Sequence, residues 1–375
     1  MTDTDYMRLA LRLARRAFGR TSPNPMVGAV VVKAGKILGQ GWHHQAGEPH
    51  AEIEALRDTV SKGHSAKGAT LCVSLEPCCT HGRTPPCTDA IIAAGIKRVV
   101  VGATDPNPQH AGRGFAILQR AGIEVIHGVL AEECTRLNEV FNHWIVRRTP
   151  LVTVKAAMTL DGKIATASGE SKWITGERAR AHGMKLRQGN DAILVGINTV
   201  LADDPSLTVR ANGRAPTRPL RRVILDSLAR TPVTAKVVTD EHAGLTTIVV
   251  SDQAPKKRVA ALAKKVSVLT APVARRSSPA AHPSSLDLRW LLKHLGKAGV
   301  TSLLVEGGGE VNASFLLGGL AQRVAFFYAP KILGGRDSRK AVAGDGVERL
   351  SEVINLTDLR WQKLGPDLLL TARVG

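Results

Sequence analysis

Residues 70–94 read TLCVSLEPCCTHGRTPPCTDAIIAA, and this stretch sets the fold class. Thr70 to Leu75 is an apolar, partly β-branched run, the composition of a buried strand. Glu76-Pro77-Cys78 closes it. Thr84-Pro85-Pro86-Cys87 then opens a helix over Thr88 to Ala94, since a proline at a helix start forfeits an N–H that would be unpaired there anyway. A strand handing over to a helix across a cysteine-bearing loop is one unit of an α/β sheet.

The same alternation extends outward. Asp5 to Phe18 reads as an amphipathic helix, with Leu9, Leu13 and Ala17 on one stripe and Ala10, Ala14 and Phe18 beside it. Ser22-Pro23-Asn24-Pro25 breaks it. Val27 to Val32 reads as a buried strand and Ala51 to Arg57 as a helix. Beyond the cysteines, Arg98 to Ala103 and Ile123 to His127 read as strands around a helix at Gly114 to Ala121. Arg147-Arg148-Thr149-Pro150 is a seam, after which the alternation restarts. Strands are expected at Leu151 to Ala156, Ala192 to Val195, Arg222 to Asp226, Thr246 to Val250, Ser302 to Val305 and Val324 to Tyr328. The expectation is two α/β domains, 1–149 and 150–375.

Composition narrows the function classes. The chain has 375 residues, 43% hydrophobic and 22% charged, which excludes disorder over most of its length. No run of about 18 apolar residues is present, so no transmembrane helix is expected. The polar, acidic start from Met1 to Asp5 lacks the pattern of a secretory signal, and a cytoplasmic protein is expected. All five cysteines, Cys72, Cys78, Cys79, Cys87 and Cys134, fall in the first 150 residues. An odd, clustered set fits a metal or catalytic thiol better than disulfides.

The net charge is +19, with 33 basic against 19 acidic side chains after residue 150. A basic surplus draws anions, either nucleic acid or phosphorylated small molecules. Aromatics are only 3% of the chain, which argues against a stacking platform for single strands. Lys256, Lys257, Arg258, Lys264, Lys265, Arg275 and Arg276 lie in a stretch without acidic residues and read as an exposed helix and loop.

His50, Cys78 and Cys87 offer one imidazole and two thiolates, a three-ligand set suited to zinc with a fourth position left for water. Helix starts at His50 and Cys87 favour the thiolate form through the partial positive charge of the helix N-terminus. Glu52, two residues past His50, suits a proton carrier: it takes a proton from the water and delivers it to a leaving nitrogen. Cys79 is too close to Cys78 to share its ion, and Cys72 reads as core.

The spacing departs from the Pro-Cys-x-x-Cys of nucleobase deaminases. With Pro23-Asn24-Pro25-Met26-Val27-Gly28, Gly47-Glu48-Pro49-His50-Ala51-Glu52, Leu75-Glu76-Pro77-Cys78, His81-Gly82-Arg83-Thr84-Pro85-Pro86-Cys87 and Asp105-Pro106-Asn107-Pro108, the first half resembles the deaminase half of the bifunctional riboflavin-biosynthesis deaminase–reductases. The second half resembles their reductase half through Lys155-Ala156-Ala157-Met158-Thr159-Leu160-Asp161-Gly162-Lys163, Ala167-Ser168-Gly169-Glu170-Ser171-Lys172-Trp173-Ile174-Thr175, Val195 to Pro205, and Val305-Glu306-Gly307-Gly308-Gly309. The resemblance covers essentially the whole chain.

It implies a cytidine-deaminase-like three-layer domain with one zinc, followed by a dihydrofolate-reductase-like domain using NADPH. It further implies pyrimidine contacts from Asn24, His43 and His81 and a phosphate contact from Arg83. In the second domain it implies cofactor contacts from Ala157, Trp173, Thr199, Asp203 and Gly308. Substrate contacts there would come from Ser171, Arg187, Leu207, Arg210 and Glu306, with Arg187 and Arg210 gripping a 5′-phosphate. Apart from the resemblance, Lys155 is read as pointing from a strand end, where it would help polarise the reacting sugar carbon. The partner is then a phosphorylated pyrimidine, with no nucleic acid and no membrane; homo-oligomerisation is left open. Two rivals stand beside this reading: a nucleic-acid base deaminase with an accessory domain, favoured by the charge, and a zinc-stabilised binding protein without catalysis.

Overall fold

Val30, Val31 and Val32 lie on an interior strand of a five-stranded sheet, and their burial comes from helices on both of its faces. The computed structural model describes residues 1–81, 85–209, 218–274 and 286–375. Two units, Met1–Arg148 and Thr149–Gly375, divide the chain.

The first unit runs α1 (Asp3–Ala14), β1 (Gly28–Lys33), β2 (Lys36–Trp42), α2 (Ala51–Ser61), β3 (Thr70–Leu75), α3 (Cys87–Ala93), β4 (Arg98–Ala103), α4 (Arg113–Arg120), β5 (Glu124–His127), α5 (Ala131–Leu137) and α6 (Glu139–Arg147). Its strands are ordered β2-β1-β3-β4-β5. The pairings of β1 are antiparallel and those of β3 with β4 and β4 with β5 parallel.

Glycines record how closely the helices approach. A Cβ at Gly28 would sit 2.0 Å from the carbonyl oxygen of Ala10 in α1, and one at Gly41 would sit 2.3 Å from the backbone nitrogen of Ala55 in α2. Gly41 pairs with Ala29, the neighbour of Gly28. Successive residues point to opposite faces of a strand, so α1 and α2 cover opposite faces and the unit has three layers.

The first helix departs from its expected stripe. Its core face is carried by Met7, Ala10, Leu11, Leu13 and Ala14, while Phe18 is 39% exposed. The α-helix stops at Ala14, and a turn of 3-10 helix at Arg15–Ala17 rotates Phe18 off the core face. Strand β2 is absent from the expected elements, because Gly39 and Gly41 dilute its pattern; those glycines are demanded by the approach of α2, a tertiary requirement. Helices α5 and α6 are likewise additional to the expected elements.

The second unit runs β6 (Leu151–Thr159), β7 (Lys163–Ala165), α7 (Glu177–Gln188), β8 (Ala192–Gly196), α8 (Ile197–Asp203), β9 (Arg221–Leu225), α9 (Lys236–Thr239), β10 (Thr246–Val250), α10 (Lys256–Ala263), β11 (Ser267–Thr270), α11 (Leu288–Lys297), β12 (Ser302–Val305), α12 (Gly309–Leu317), β13 (Arg323–Ala329), β14 (Arg339–Lys340), β15 (Leu356–Leu364) and β16 (Asp367–Val374). Nine strands form one sheet in the order β11-β10-β9-β8-β12-β6-β13-β16-β15. From β11 to β13 neighbouring strands are parallel, and β16 and β15 add antiparallel.

Both faces of β8 and β12 are buried, as expected of central parallel strands. The outer hairpin of β15 and β16 has no counterpart among the expected strands. Strand β15 is a nearly fully exposed edge, so burial imposes no apolar pattern on it. The parallel arrangement sets the C-terminal ends of β8, β12 and β6 side by side, the usual place for a ligand in such sheets. Among the described residues, no helix is long and apolar enough to cross a membrane.

Candidate functional site

In the first unit, three elements converge on one point. His50 is the N-cap residue of α2, Cys78 comes after β3, and Cys87 is the first residue of α3 behind Pro86. Their ligand atoms all lie within 4.8 Å of one another. Nδ1 of His50 is 3.5 Å from Sγ of Cys78 and 3.3 Å from Sγ of Cys87. The backbone N–H of Cys87 donates to Sγ of Cys78 at 3.4 Å.

The hydrogen bond from the Cys87 thiol, with help from His50, holds Cys78 well below the ordinary thiol range, and that same bond together with burial pushes Cys87 up. The pair therefore carries one thiolate readily, and a divalent cation would replace the remaining proton. Two sulfurs and one imidazole nitrogen, close-set and largely buried, are a donor set that fits zinc.

Glu52 is 3% exposed in the first turn of α2. Burial pushes its carboxyl up to about 7, and its side chain hydrogen-bonds the Cys87 thiol. A carboxyl beside the ligand set with its proton affinity near neutrality is equipped to take and return a proton.

Around this core, Nδ2 of Asn24 is 3.1 Å from Nε2 of His43, and Nδ1 of His43 is 3.0 Å from the carbonyl oxygen of Pro49. Both ring nitrogens of His43 are thus engaged within the protein. His44 stacks on Trp42 instead. His81 is exposed, and Arg83 lies outside the described residues. Cys79 sits 3.5 Å from Nδ1 of His110, apart from the ligand set. Cys72 and Cys134 are core residues, each 1% exposed.

Sequence reasoning missed Glu76. Its carboxylate is 4% exposed and accepts the backbone N–H groups of Asp105, Gly112 and Gly114 at 2.9–3.1 Å. It fastens the loop after β4 to the residue pair that leads into Cys78. A glutamate closing an apolar strand, where a solvated charge is out of place, was the available signal.

In the second unit, Glu306 directly follows β12, and its side chain is 10% exposed. Nε and Nη2 of Arg187 bind its two oxygens at 2.9 and 3.0 Å, and Nζ of Lys155 stands 3.4 Å from Oε2. Burial alone would raise the Glu306 pKa, but the charges of Lys155 and Arg187 overcome it and bring it down to about 2. Lys155 stands in the middle of β6, not at a strand end. Nη1 of Arg187 also donates to the carbonyl oxygen of Thr208 at 3.0 Å, so the free bidentate phosphate grip expected of Arg187 is already largely spent.

Leu207 holds a left-handed backbone at φ 51° while its side chain, 3% exposed, packs with Ile193 and Val195. A contact from this position to a ligand would run through the main chain. Arg210 lies outside the described residues, and Ser171 is half-buried in the loop before α7.

Of the residues expected around the cofactor, Ala157, Thr199 and Gly308 lie in or shortly after β6, β8 and β12, while Asp203 ends α8 and Trp173 lies in the loop before α7. Gly308 is the N-cap residue of α12 and a Cβ there would meet nothing within 4 Å, whereas one at Gly307 would collide with Val311 at 2.5 Å and one at Gly309 with the carbonyl oxygen of Lys340 at 2.3 Å. The turn thus needs its flanking glycines for packing and leaves open space at the middle one, in front of free helix N–H groups, which suits a phosphate. Thr199 and Asp203 lie on α8, directly after β8, and Ala157 lies near the end of β6. Asp203 pairs with Lys172 at 3.1 Å, and the next residue, Trp173, is 66% exposed with Arg180 over its ring. Lys256, Lys257, Arg258, Lys264 and Lys265 are exposed on and after α10; Arg275 and Arg276 lie outside the described residues.

Comparisons with known proteins agree with both halves. The family described as cytidine and deoxycytidylate deaminase zinc-binding region matches residues 1–103, and the RibD C-terminal domain matches residues 150–370. The chain is 44% identical to riboflavin biosynthesis protein RibD of Actinobacillus pleuropneumoniae over 99% of this chain and 95% of that one. It is 45% identical to RibD of Aquifex aeolicus, over 98% and 97%. Among solved structures, RibD of Acinetobacter baumannii matches with a TM-score of 0.86 and 36% identity, covering 100% of this chain and 99% of that one. A Thermotoga maritima diaminohydroxyphosphoribosylaminopyrimidine deaminase/5-amino-6-(5-phosphoribosylamino)uracil reductase matches with a TM-score of 0.83 and 36% identity over the same shares. This chain, with its zinc-type deaminase site and its reductase unit, belongs to the RibD family of bifunctional riboflavin-biosynthesis enzymes.

Proposed function

We propose that residues 1–149 remove the exocyclic amine at C2 of 2,5-diamino-6-ribosylamino-4(3H)-pyrimidinone 5′-phosphate as ammonia, and that residues 150–375 then reduce the ribosyl group to ribityl. The product is 5-amino-6-ribitylamino-uracil 5′-phosphate. The observation that carries this reading is the convergence of His50, Cys78 and Cys87 with the buried carboxyl of Glu52.

His50, Cys78 and Cys87 hold one zinc per chain. When bound, the ion would supply acidification of a water, making hydroxide available near neutral pH for attack on the ring carbon that bears the amine. Glu52 takes the proton from that water on a carboxylate oxygen and hands it to the departing nitrogen. Its burial keeps bulk water from competing for the proton. Asn24, backed by His43, together with His81 and Arg83, faces the substrate.

NADPH supplies the hydride for the second step. Ala157, Trp173, Thr199, Asp203 and Gly308 bind it. Ser171, Arg187, Leu207, Arg210 and Glu306 line the substrate side, with Leu207 acting through its main chain and Arg187 through the loop and carboxylate it holds. Lys155, fixed by Glu306, is the candidate for polarising the reacting sugar carbon. The same reading gives the protein a small phosphorylated pyrimidine as partner rather than nucleic acid, and a cytoplasmic location.

The test is direct. Incubation of the purified zinc-loaded protein with the diaminopyrimidine phosphate should release ammonia and raise the substrate mass by about 1 Da through exchange of an amine for an oxygen. Adding NADPH should raise it by about a further 2 Da. A protein that releases no ammonia, or that consumes no NADPH after deamination, is not this enzyme.

A further inference from the structure

His43, the residue after β2, is 2% exposed, and both of its ring nitrogens have a defined partner. Nδ1 faces the carbonyl oxygen of Pro49 at 3.0 Å. A carbonyl oxygen only accepts, so Nδ1 carries the hydrogen. The amide nitrogen of Asn24 stands 3.1 Å from Nε2, and an amide nitrogen only donates, so the ring is neutral. In a neutral ring with hydrogen on Nδ1, Nε2 is a lone-pair acceptor, and only the NH2 end of that amide can satisfy it.

The amide of Asn24 is therefore locked in one of its two orientations. One of the two Nδ2 hydrogens is spent on His43 and Oδ1 is left over; among the described residues no hydrogen bond to Oδ1 is formed. The imidazole of His43 also stands edge-on to that of His50, with centroids 5.2 Å apart, so this relay sits next to the ligand set. We infer that His43 is a positioning residue which, through the relay from the Pro49 carbonyl to Asn24, makes Asn24 a hydrogen-bond acceptor and so selects a heterocycle presenting an N–H donor at that edge. A heterocycle with a carbonyl or a bare ring nitrogen facing Oδ1 would set lone pair against lone pair and should bind more weakly. The inference rests on the deaminase reading of the first unit, with Asn24 in its substrate pocket.

The experiment is a double-mutant cycle in the full-length, zinc-loaded protein, with ammonia release from the diaminopyrimidine phosphate as the readout and zinc content measured for every variant. His43→Phe keeps a ring against His50 but removes the acceptor. It should lower kcat/KM by roughly 10- to 100-fold, mainly through KM, the range for a misdirected hydrogen bond to a buried polar group. In an Asn24→Ala background the same change should cost less than about 2-fold, because the group it orients is gone. His43→Gln, whose amide oxygen can accept from Asn24, should recover part of the loss. A His43→Phe penalty that persists undiminished in the Asn24→Ala background overturns the inference, as does a fall in kcat with KM unchanged. If His43→Phe loses zinc, a second pair decides. Asn24→Asp sets a carboxylate against the Nε2 lone pair and should lose activity, and N24D/H43Q, which supplies an amide donor, should regain most of it; no regain overturns the inference. A wild-type protein that releases no ammonia overturns the deaminase reading itself, and the inference with it.

Discussion

Arg187 spends one edge of its guanidinium on Glu306 and its remaining Nη1 on the Thr208 carbonyl, so a single side chain joins α7, the end of β12 and the loop carrying Leu207. The arrangement makes Arg187 a brace between these three elements. Lys155 completes the charge balance on Glu306, so the buried carboxylate faces two cations.

This triad makes the second unit acid-sensitive. The folded pKa of Glu306 is depressed from 4.5 to about 2, so its stabilisation is fully present above the unfolded value and is lost as pH falls from about 4.5 towards 2. At about 1.4 kcal/mol per pKa unit, the contribution is of order 3 kcal/mol. Glu306→Gln should lower stability at neutral pH and flatten its dependence in that window, measured by denaturant titration at several pH values. An unchanged acid limb in Glu306→Gln would show that other carboxylates control it.

Cys87→Ser should lose most zinc. The residue is buried with its sulfur against His50, and a serine hydroxyl is a poor replacement for a thiolate ligand. Cys79→Ser should keep zinc, since that sulfur turns to His110. Metal analysis of both variants checks the ligand assignment, and the opposite outcome reverses it.

Glu52→Gln should abolish deamination, by about 10²–10⁴-fold, while leaving zinc bound and reduction of the deaminated intermediate intact. The amide keeps the shape of the buried side chain and removes only the proton carrier. Near-normal ammonia release from this variant would remove Glu52 from the mechanism.

Arg222→Met should destabilise the second unit by about 3–5 kcal/mol. Arg222 is 1% exposed and binds both oxygens of Asp240, the hydroxyl of Thr246 and the carbonyls of Ser206 and Val237. The methionine would strand the Asp240 carboxylate and release Ser206, the neighbour of Leu207. The expected result is a lower unfolding midpoint, with ammonia release at low temperature unaffected.

Lys256→Ala, Lys257→Ala and Arg258→Ala combined should leave KM for NADPH within about 2-fold, because exposed charges on a helix remote in sequence from Gly308 contribute weakly through solvent. A larger change would bring α10 into the cofactor site.

The sequence by itself determined the alternation of strands and helices, since periodicity and β-branched runs are local properties. Thr70–Leu75, Arg98–Ala103, Thr246–Val250 and Ser302–Val305 fall where those runs lie. It also marked His50, Glu52, Cys78 and Cys87, because a helix start, a strand end and a Pro-Cys step are legible without knowing what they face. The tertiary structure decided the rest. Strand β2 exists through glycines that α2 requires, and edge strand β15 carries no burial pattern to read. That Cys79 turns away from the ligand set, that Arg187 braces Glu306, and that His43 fixes the polarity of Asn24 depend on groups 19 to 119 residues apart in the chain. Such partners meet only when the sheet is assembled, and one residue's hydrogen-bonding capacity is then consumed by another that no local pattern names.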